Sequence, residues 1–530
     1  MILRVGGWFS VLVLAISTAA LAQEEAREYK RVHQDALDLV TGGKAAQAVE
    51  EMLAFSREYP EDAETFYLLT LAHTAAGDRE AALQALETAL AKGLPAERFL
   101  AGPRELLAPL AESAQMKELQ TKFAGRPIQG PMVSAAHNSA RFWFRTAQPT
   151  SVRVVVTAEN GDELLGTAQT KAETDFTCVV NVAGLAPNST YGYQVQVGEG
   201  EPIKAEGQRF RTLEAPGEAS KFTLAFGGGA GYVPSNERMW NTIEENKPDL
   251  LVLLGDNVYS DKPESPAMQQ YCYYRRQSRP EFRGLTAHTS VFTIWDDHDF
   301  GTNDCWGGPE IEKPVWKRPV WNVYRQNWAN PGYGGGEEQP GCWYDFHVGD
   351  VHFIMLDGRY YRTNPRVDEP SMLGPAQKEW LFETLERAGG KPTFTVLCSP
   401  VPWEYRTKGD SLDTWNGFRN ERDEIFNFLR DKKIEGVVLM SADRHRSDCW
   451  QVARPDAYDL FEFNSSRLTN QHVHGEMKEA VFSYNKKQSF GLVAFDTTAE
   501  DPSVSYSVIT IDNEPVHEIT VRRSQLRMPE

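Results

Sequence analysis

Basic residues are in short supply here: across 530 residues, 55 Lys and Arg stand against 74 Asp and Glu, for a formal net charge of −19. Such a surface argues against a nucleic-acid binder, whose phosphate contacts need a basic face. It does not argue against an anionic substrate, because bound cations can invert the field inside a carboxylate-rich site. The sequence also lacks any Cys-x-x-Cys pair, which speaks against a zinc ribbon. It has no long apolar run after the first residues, so no stable membrane anchor is expected in the mature chain.

The start itself reads as an export signal over residues 1–22. Arg4 supplies the positive charge, Trp8 to Ile16 the apolar stretch, and Ala20-Leu21-Ala22 a small-residue cleavage site before Gln23. No Cys follows that site, so lipid attachment is not supported, and a periplasmic or secreted location is expected. All six cysteines would then lie in an oxidising compartment, with Cys305 and Cys342 the first pair to test for a bridge and Cys398 an inert core thiol.

The length predicts three or four domains. Residues 23–125 read as helices, and Gly43, Ala48 and Met52 recur as Gly77, Ala82 and Leu86, the 34-residue spacing of tetratricopeptide-like repeats. The stretch offers a possible protein-binding groove or a plain helical spacer. Over 126–217 the period changes to two, as in Ala140–Arg145, Ser151–Val156, Cys178–Val182 and Tyr191–Val197, which predicts a β-sandwich similar to fibronectin type III domains. Residues 218–530 alternate strands and helices, with helices expected near Ser235–Asn246, Pro375–Ala388 and Asn420–Lys433 and long loops at 332–339 and 364–373. The fold class is therefore multidomain: α-helical repeats, a β-sandwich, then a layered α/β domain.

Four clusters in that last region carry chemistry: Leu253–Tyr259 (Leu-Leu-Gly-Asp-Asn-Val-Tyr), Trp295–Asp299 (Trp-Asp-Asp-His-Asp), Leu356–Arg359 (Leu-Asp-Gly-Arg) and Ser441–His445 (Ser-Ala-Asp-Arg-His). The first and last follow short apolar runs, placing their carboxylates at strand ends, where open α/β sheets form ligand crevices. Three acids around one His at 296–299 are costly to bury without a cation. Asp443 and His445 alternate across Arg444 and would share one side of an extended segment. Arg359, Arg362, Arg444 and Arg446 either orient a phosphate or pair with the excess acids.

These motifs, in this order, resemble the PhoD-like alkaline phosphatases of the calcineurin-like metallophosphoesterase superfamily. Gly255–Tyr259, Trp295–Asp304, Leu356–Arg362, Trp415 with Glu421-Arg422, and Ser441–His445 carry the resemblance. It implies metal ligation by Asp256, Tyr259, Asp297, Asp443 and His445, with Asp256 bridging two cations and His298 beside the substrate as the catalytic residue. It offers Asn303, Arg275 and Arg359 as phosphate contacts. The implied function is a metal-dependent phosphoesterase that hydrolyses phosphate mono- or diesters by metal-activated hydroxide. One departure stands out: the family carries a Cys after its first strand, and here Gly229 takes its place. That puts tightly held Fe³⁺ in doubt and favours Ca²⁺, with Mg²⁺ or Mn²⁺ as further candidates. It also leaves open a catalytically degenerate phosphatase-fold binding protein that works through its helical repeats.

Overall fold

The computed structural model describes residues 31–203 and 208–529, so the expected leader at 1–22 lies outside the described residues. The described chain forms two compact units, one within 31–96 and 105–116, the other within 97–104 and 117–529. Among the described residues no helix is long and apolar enough to cross a membrane.

The first unit is helical. A helix over 31–41 is followed by Ala45–Glu58, Ala63–Ala76 and Arg79–Ala91. Asp62 and Asp78 cap the last two, accepting from the amides of Thr65 (3.1 Å) and Ala81 (3.0 Å), which otherwise lack partners in a first turn. Helix Ala63–Ala76 buries Tyr67, Leu68, Leu69, Leu71 and Ala72 around its circumference, as a helix enclosed by its neighbours must. Ala48, Met52, Ala82 and Leu86, the residues that repeat in the sequence, are all fully buried.

In the second unit, a three-stranded sheet (Gln129–Ala135, Ser139–Arg145, Thr177–Ala183) faces a four-stranded one (Glu163–Gln169, Ser151–Ala158, Thr190–Val197, Arg209–Arg211). Alternate residues such as Phe142, Val154, Val180 and Tyr193 meet between them. Several polar groups of this sandwich bond to the rest of the unit. Gln129 Nε2 donates to the Tyr274 carbonyl (2.9 Å) and to Ser278 Oγ (2.7 Å), Trp143 Nε1 to the Gln326 carbonyl (2.7 Å), and Tyr193 Oη to the Ala287 carbonyl (2.8 Å). Arg145, fully buried, reaches Asp175 (2.9 Å) and Asn327 (3.1 Å) and also donates to Gln129.

The remaining chain builds two larger sheets. In one, Lys221–Gly227, Leu250–Leu254 and Ser290–Ile294 run parallel, extended by the antiparallel strands Ser489–Asp496, Ser503–Thr510 and Pro515–Arg522. In the other, Val351–Met355, Phe394–Cys398, Val437–Ser441 and Leu460–Ser465 run parallel, with antiparallel strands at both edges. Phe222, Phe353 and Phe495 pack between these sheets, as do Phe226, Phe463 and Tyr506. The parallel strands are buried on both faces and so read as continuous apolar runs. Their carboxyl ends gather the four motif clusters.

The cysteines do not pair: all six are free thiols. The bridge tested first, Cys305 to Cys342, is not formed, because Cys305 Sγ points to the Asp297 carbonyl (3.8 Å) while Cys342 is sealed in the core. Burial pushes the Cys398 thiol up, in keeping with an inert core residue.

Replacing Arg145 by Met strips the seam between sandwich and layered domain of its buried cation and leaves Gln129 and Asn327 short of a donor. A loss of about 3 kcal/mol is expected, read as a lower midpoint in denaturant; an unchanged midpoint contradicts the seam's role.

Candidate metal centre

Strand Leu250–Leu254 ends at Gly255, whose φ of +102° and close packing, with a Cβ falling 2.5 Å from that of Asp296, admit no side chain. The sharp turn lets Asp256, itself left-handed at φ +54°, point into the space beyond the strand end. Its Oδ2 accepts from the Tyr259 hydroxyl (2.8 Å), which in turn accepts from Asn470 Nδ2 (2.7 Å). Asp256 Oδ1, buried, has no hydrogen-bond partner among the described residues.

The neighbouring strand Ser290–Ile294 delivers Asp296 to Asp299 on a single helical turn, Asp297–Phe300. Asp299 is a clamp: it accepts from the amides of Asn257 (3.1 Å), Val258 (3.2 Å) and Asp296 (3.0 Å), locking the two strand-end loops together. Asp297 accepts from the amides of His298 (3.0 Å) and Asp304 (2.6 Å). His298 packs against Tyr259 with ring centroids 4.3 Å apart and planes tilted by 32°, and its Nδ1 meets Asp261 at 2.5 Å. Asp256, Asp297 and His298 each bring one potential ligand atom within 4.8 Å of the others'.

The charges do not balance locally. Burial, reinforced by Asp297, Asp296 and Asp299, raises the Asp256 carboxyl well above the carboxylate range. Burial also holds Asp296 at about 7, against the pull of Arg359. Asp297 stays low because His298 and Arg359 outweigh the cost of its burial. A carboxylate oxygen without a donor, in a crowd of acids, is the chemistry of a hard-cation ligand. The donor set fits a metal centre.

Asp443 and His445 arrive from strand Val437–Ser441, but not on the extended segment that the alternation suggested. Both are left-handed, with φ of +69° and +47°, because the chain turns sharply at the strand end around the buried Arg444. The Gly228–Gly229 turn lies between them and Asp256: the Ala230 amide donates to the Asp256 carbonyl (2.8 Å), while a Cβ on Gly229 would stand 3.4 Å from His445 Nδ1. That same Cβ would meet the Ser466 carbonyl at 2.4 Å, and φ is +69°, so position 229 has no room for a thiol.

Arg359 is placed differently from a phosphate contact. It is fully buried, donating to Asp296 (2.5 Å), Asp413 (2.9 Å) and the Cys305 carbonyl (3.0 Å), with Asp297 at 3.9 Å. Arg362 also pairs with Asp413 (2.9 Å), and Arg446 pairs with Asp448 (2.7 Å). Arg275 is buried on helix Pro266–Gln277, its guanidinium 4.1 Å from the centre of the Tyr232 ring. Asn303 is exposed on the loop beside Asp304. The buried Arg444 guanidinium pairs with Asp443, with Asp413 at 3.9 Å, and its amide donates to the Ala442 carbonyl (2.9 Å).

Sequence reasoning missed Asp413, which lies in a loop with no periodicity yet clusters with Asp297 and Asp304. It also missed Asn470 and the pair His472 and His474, whose rings pack around His445. Their one available signal was the His-x-His spacing itself. Asp299→Asn would set amide hydrogens against backbone donors. It is expected to cost about 1–3 kcal/mol and to weaken metal binding about 10–100-fold, by denaturation and metal titration respectively.

The PhoD-like phosphatase family model matches residues 224–506, and a domain of unknown function matches 127–215, the sandwich. Alkaline phosphatase D of Bacillus subtilis (strain 168) is 26% identical over 330 residues, 53% of this chain and 55% of that protein. The chain thus spans about half the length of this relative. Purple acid phosphatase 23 of Arabidopsis thaliana is 24% identical over 343 residues, 55% of this chain and 69% of its own. In fold, a solved PhoD structure superposes with a TM-score of 0.62 at 19% identity, covering 75% of this chain and 91% of that one. The purple acid phosphatase PPD1 of yellow lupin superposes at 0.55 and 11% identity, covering 75% of each chain. The family match takes in more than half of the sequence and all four strand-end clusters, and on it the chain belongs to the PhoD-like phosphatases.

Proposed function

We propose that this chain is an exported, metal-dependent phosphoesterase acting on phosphate mono- or diesters. The observation that carries the reading is the buried convergence of Asp256, Asp297 and His298, in which Asp256 keeps an oxygen with no donor among the described residues. Asp256 and Asp297 would hold the ions, with Tyr259, Asp443 and His445 completing the set. When bound, divalent cations would supply Lewis acidity, polarising a phosphoryl oxygen and making water more acidic. Carboxylate oxygens dominate the donors around Asp256, which favours Ca²⁺, Mg²⁺ or Mn²⁺ over Fe³⁺ there.

The chain's own residues do the rest. Asp261, bonded to His298 Nδ1, fixes the imidazole so that the other nitrogen can give a proton to the leaving oxygen. Arg275 and Asn303 are the candidate phosphate contacts, while the buried Arg444 pairs with Asp443 and so acts on the acids rather than directly on substrate. Arg359 acts through Asp296 and Asp413, fixing the acids in place.

The flanking parts follow the same reading. A fibronectin type III-like assignment of the sandwich is supported by Tyr191, whose hydroxyl accepts from the Ala186 amide at 2.8 Å, in the manner of a tyrosine corner. A tetratricopeptide-like assignment, and with it a protein partner, rests on helices Ala45–Glu58 and Arg79–Ala91, which start 34 residues apart. The periplasmic or secreted location rests on residues 1–22 alone.

Metal-loaded protein is expected to cleave an aryl phosphate or a bis-aryl phosphodiester, to lose activity to chelation and to regain it with Ca²⁺, Mg²⁺ or Mn²⁺. Asp256→Ala and Asp297→Ala should each lower kcat/KM at least about a thousandfold, and His298→Ala about 10²–10⁴-fold. Inertness toward both substrates when metal-replete contradicts the reading. The protein should also be colourless, and a visible band bleached by Tyr259→Phe would instead place ferric iron on that phenolate.

A further inference from the structure

The loop after strand Phe394–Cys398, helix Arg419–Asp431 and the turn after strand Ser447–Val452 enclose a cavity of about 440 Å³. That volume falls among those of small-molecule sites, about 300–1,000 Å³. None of the residues placed in the metal centre lines it. Four arginines, Arg406, Arg422, Arg430 and Arg454, share the lining with the acids Glu404 and Asp423. Three of the four are matched by a carboxylate: Arg406 pairs with Glu404 (2.7 Å), Arg422 with Asp423 (3.0 Å) and Arg430 with Asp431 (2.8 Å). Arg422 is fixed further by the Trp403 carbonyl (3.1 Å) and lies over the rings of Tyr405 and Phe426.

Arg454 differs from the other three. It is only 9% exposed, and its Nε donates to the Tyr458 carbonyl (2.8 Å) with the guanidinium carbon 4.4 Å from the centre of the Tyr458 ring. Its Nη1 and Nη2 are buried and have no hydrogen-bond partner among the described residues. No carboxylate therefore bonds to any of its three nitrogens. Burial lowers its pKa from the ordinary value, yet an arginine keeps its proton in a protein. A buried cation without a counter-charge is costly. The two nitrogens left over are the fork with which arginine takes a pair of phosphate or carboxylate oxygens. Beside them the cavity turns apolar, with Phe426 and Val452 buried in its wall and Ala453, Pro455 and Ala457 on the turn.

We propose that this cavity binds a small organic oxyanion, with its charged end held by the Arg454 fork and its apolar body against Phe426 and Val452. The oxyanion supplies the counter-charge that Arg454 lacks, and the apolar wall selects an organic ligand over a bare inorganic anion. A phosphate ester and a carboxylate share this chemistry and are the two sources to be told apart. The site stands apart from the phosphoesterase reading, because its lining includes no residue of the metal centre.

The test titrates phenylphosphonate and benzoate separately into the metal-loaded full-length protein and into its Arg454→Met and Asp256→Asn variants, by calorimetry. At least one probe is expected to bind at a site whose affinity Asp256→Asn leaves within about twofold. Arg454→Met should weaken that site about 10–100-fold, the loss of hydrogen bonds from a charged group. The tighter of the two probes names the source, phosphate or carboxylate. Methionine removes the unmatched charge while keeping an apolar stem, so the variant's midpoint in denaturant should stay level or rise. A readout that needs no variant is the bromine of 4-bromophenylphosphonate or 4-bromobenzoate, located by anomalous scattering in crystals of the unaltered protein and expected beside Phe426. Binding of neither probe, equal affinity in Arg454→Met, or a bromine found only at the metal centre overturns the proposal and leaves the phosphoesterase reading untouched.

Discussion

Everything at the heart of this chain depends on one constraint: acidic side chains crowded at the ends of parallel strands, out of reach of enough water to stay ionised alone. Asp256, Asp296, Asp297, Asp299, Asp413 and Asp443 are all buried within four strand-end loops. Arg359 and Arg362 answer part of that charge by sharing Asp413. Asp299 answers its own by collecting backbone amides. Asp256 has one phenol and nothing else for its second oxygen among the described residues. Isolated buried carboxylates are too costly to keep without a counter-charge. The unanswered remainder is the physical argument for cations, and it holds independently of the family comparison.

The scaffold around that cluster was largely legible in the sequence, for a simple reason. Strands buried on both faces must be continuous apolar runs, so Leu250–Leu254 and Val437–Ser441 announced themselves, and the acids following them marked the crevice. Helices Gly374–Ala388 and Arg419–Asp431 showed their periodicity equally well. Strands Gln129–Ala135 and Glu163–Gln169 did not, since Gly, Pro and small residues interrupt their alternation. The site was legible residue by residue but not in its wiring. No pattern in sequence says that Arg359 turns inward to Asp296 and Asp413, or that Asp443 and His445 adopt left-handed backbone. Both follow from long-range packing. Asp413 and the histidines at 472 and 474 sit on irregular segments, where spacing carries no information about direction.

Gly229 illustrates how a single absence propagates. Its missing side chain is not a neutral substitution, because the left-handed turn and the nearby Ser466 carbonyl leave no space for one. The segment that includes Asn470 donates to this glycine's carbonyl, and through that contact it also reaches Tyr259. Hydrogen bonds thus join the glycine turn at the first strand end, the phenol beside Asp256 and the segment carrying Asn470. Such tight coupling is what holds first-contact residues in a fixed geometry.

The central proposal is that the cluster around Asp256 holds cations, and that they share this carboxylate as the family resemblance implies; paramagnetic resonance of the Mn²⁺-loaded protein tests it most directly. Two ions sharing that carboxylate should give an exchange-coupled spectrum that collapses to an isolated-ion signal in Asp256→Asn. A spectrum of isolated Mn²⁺ at every loading, in protein whose fold is intact, would contradict the account.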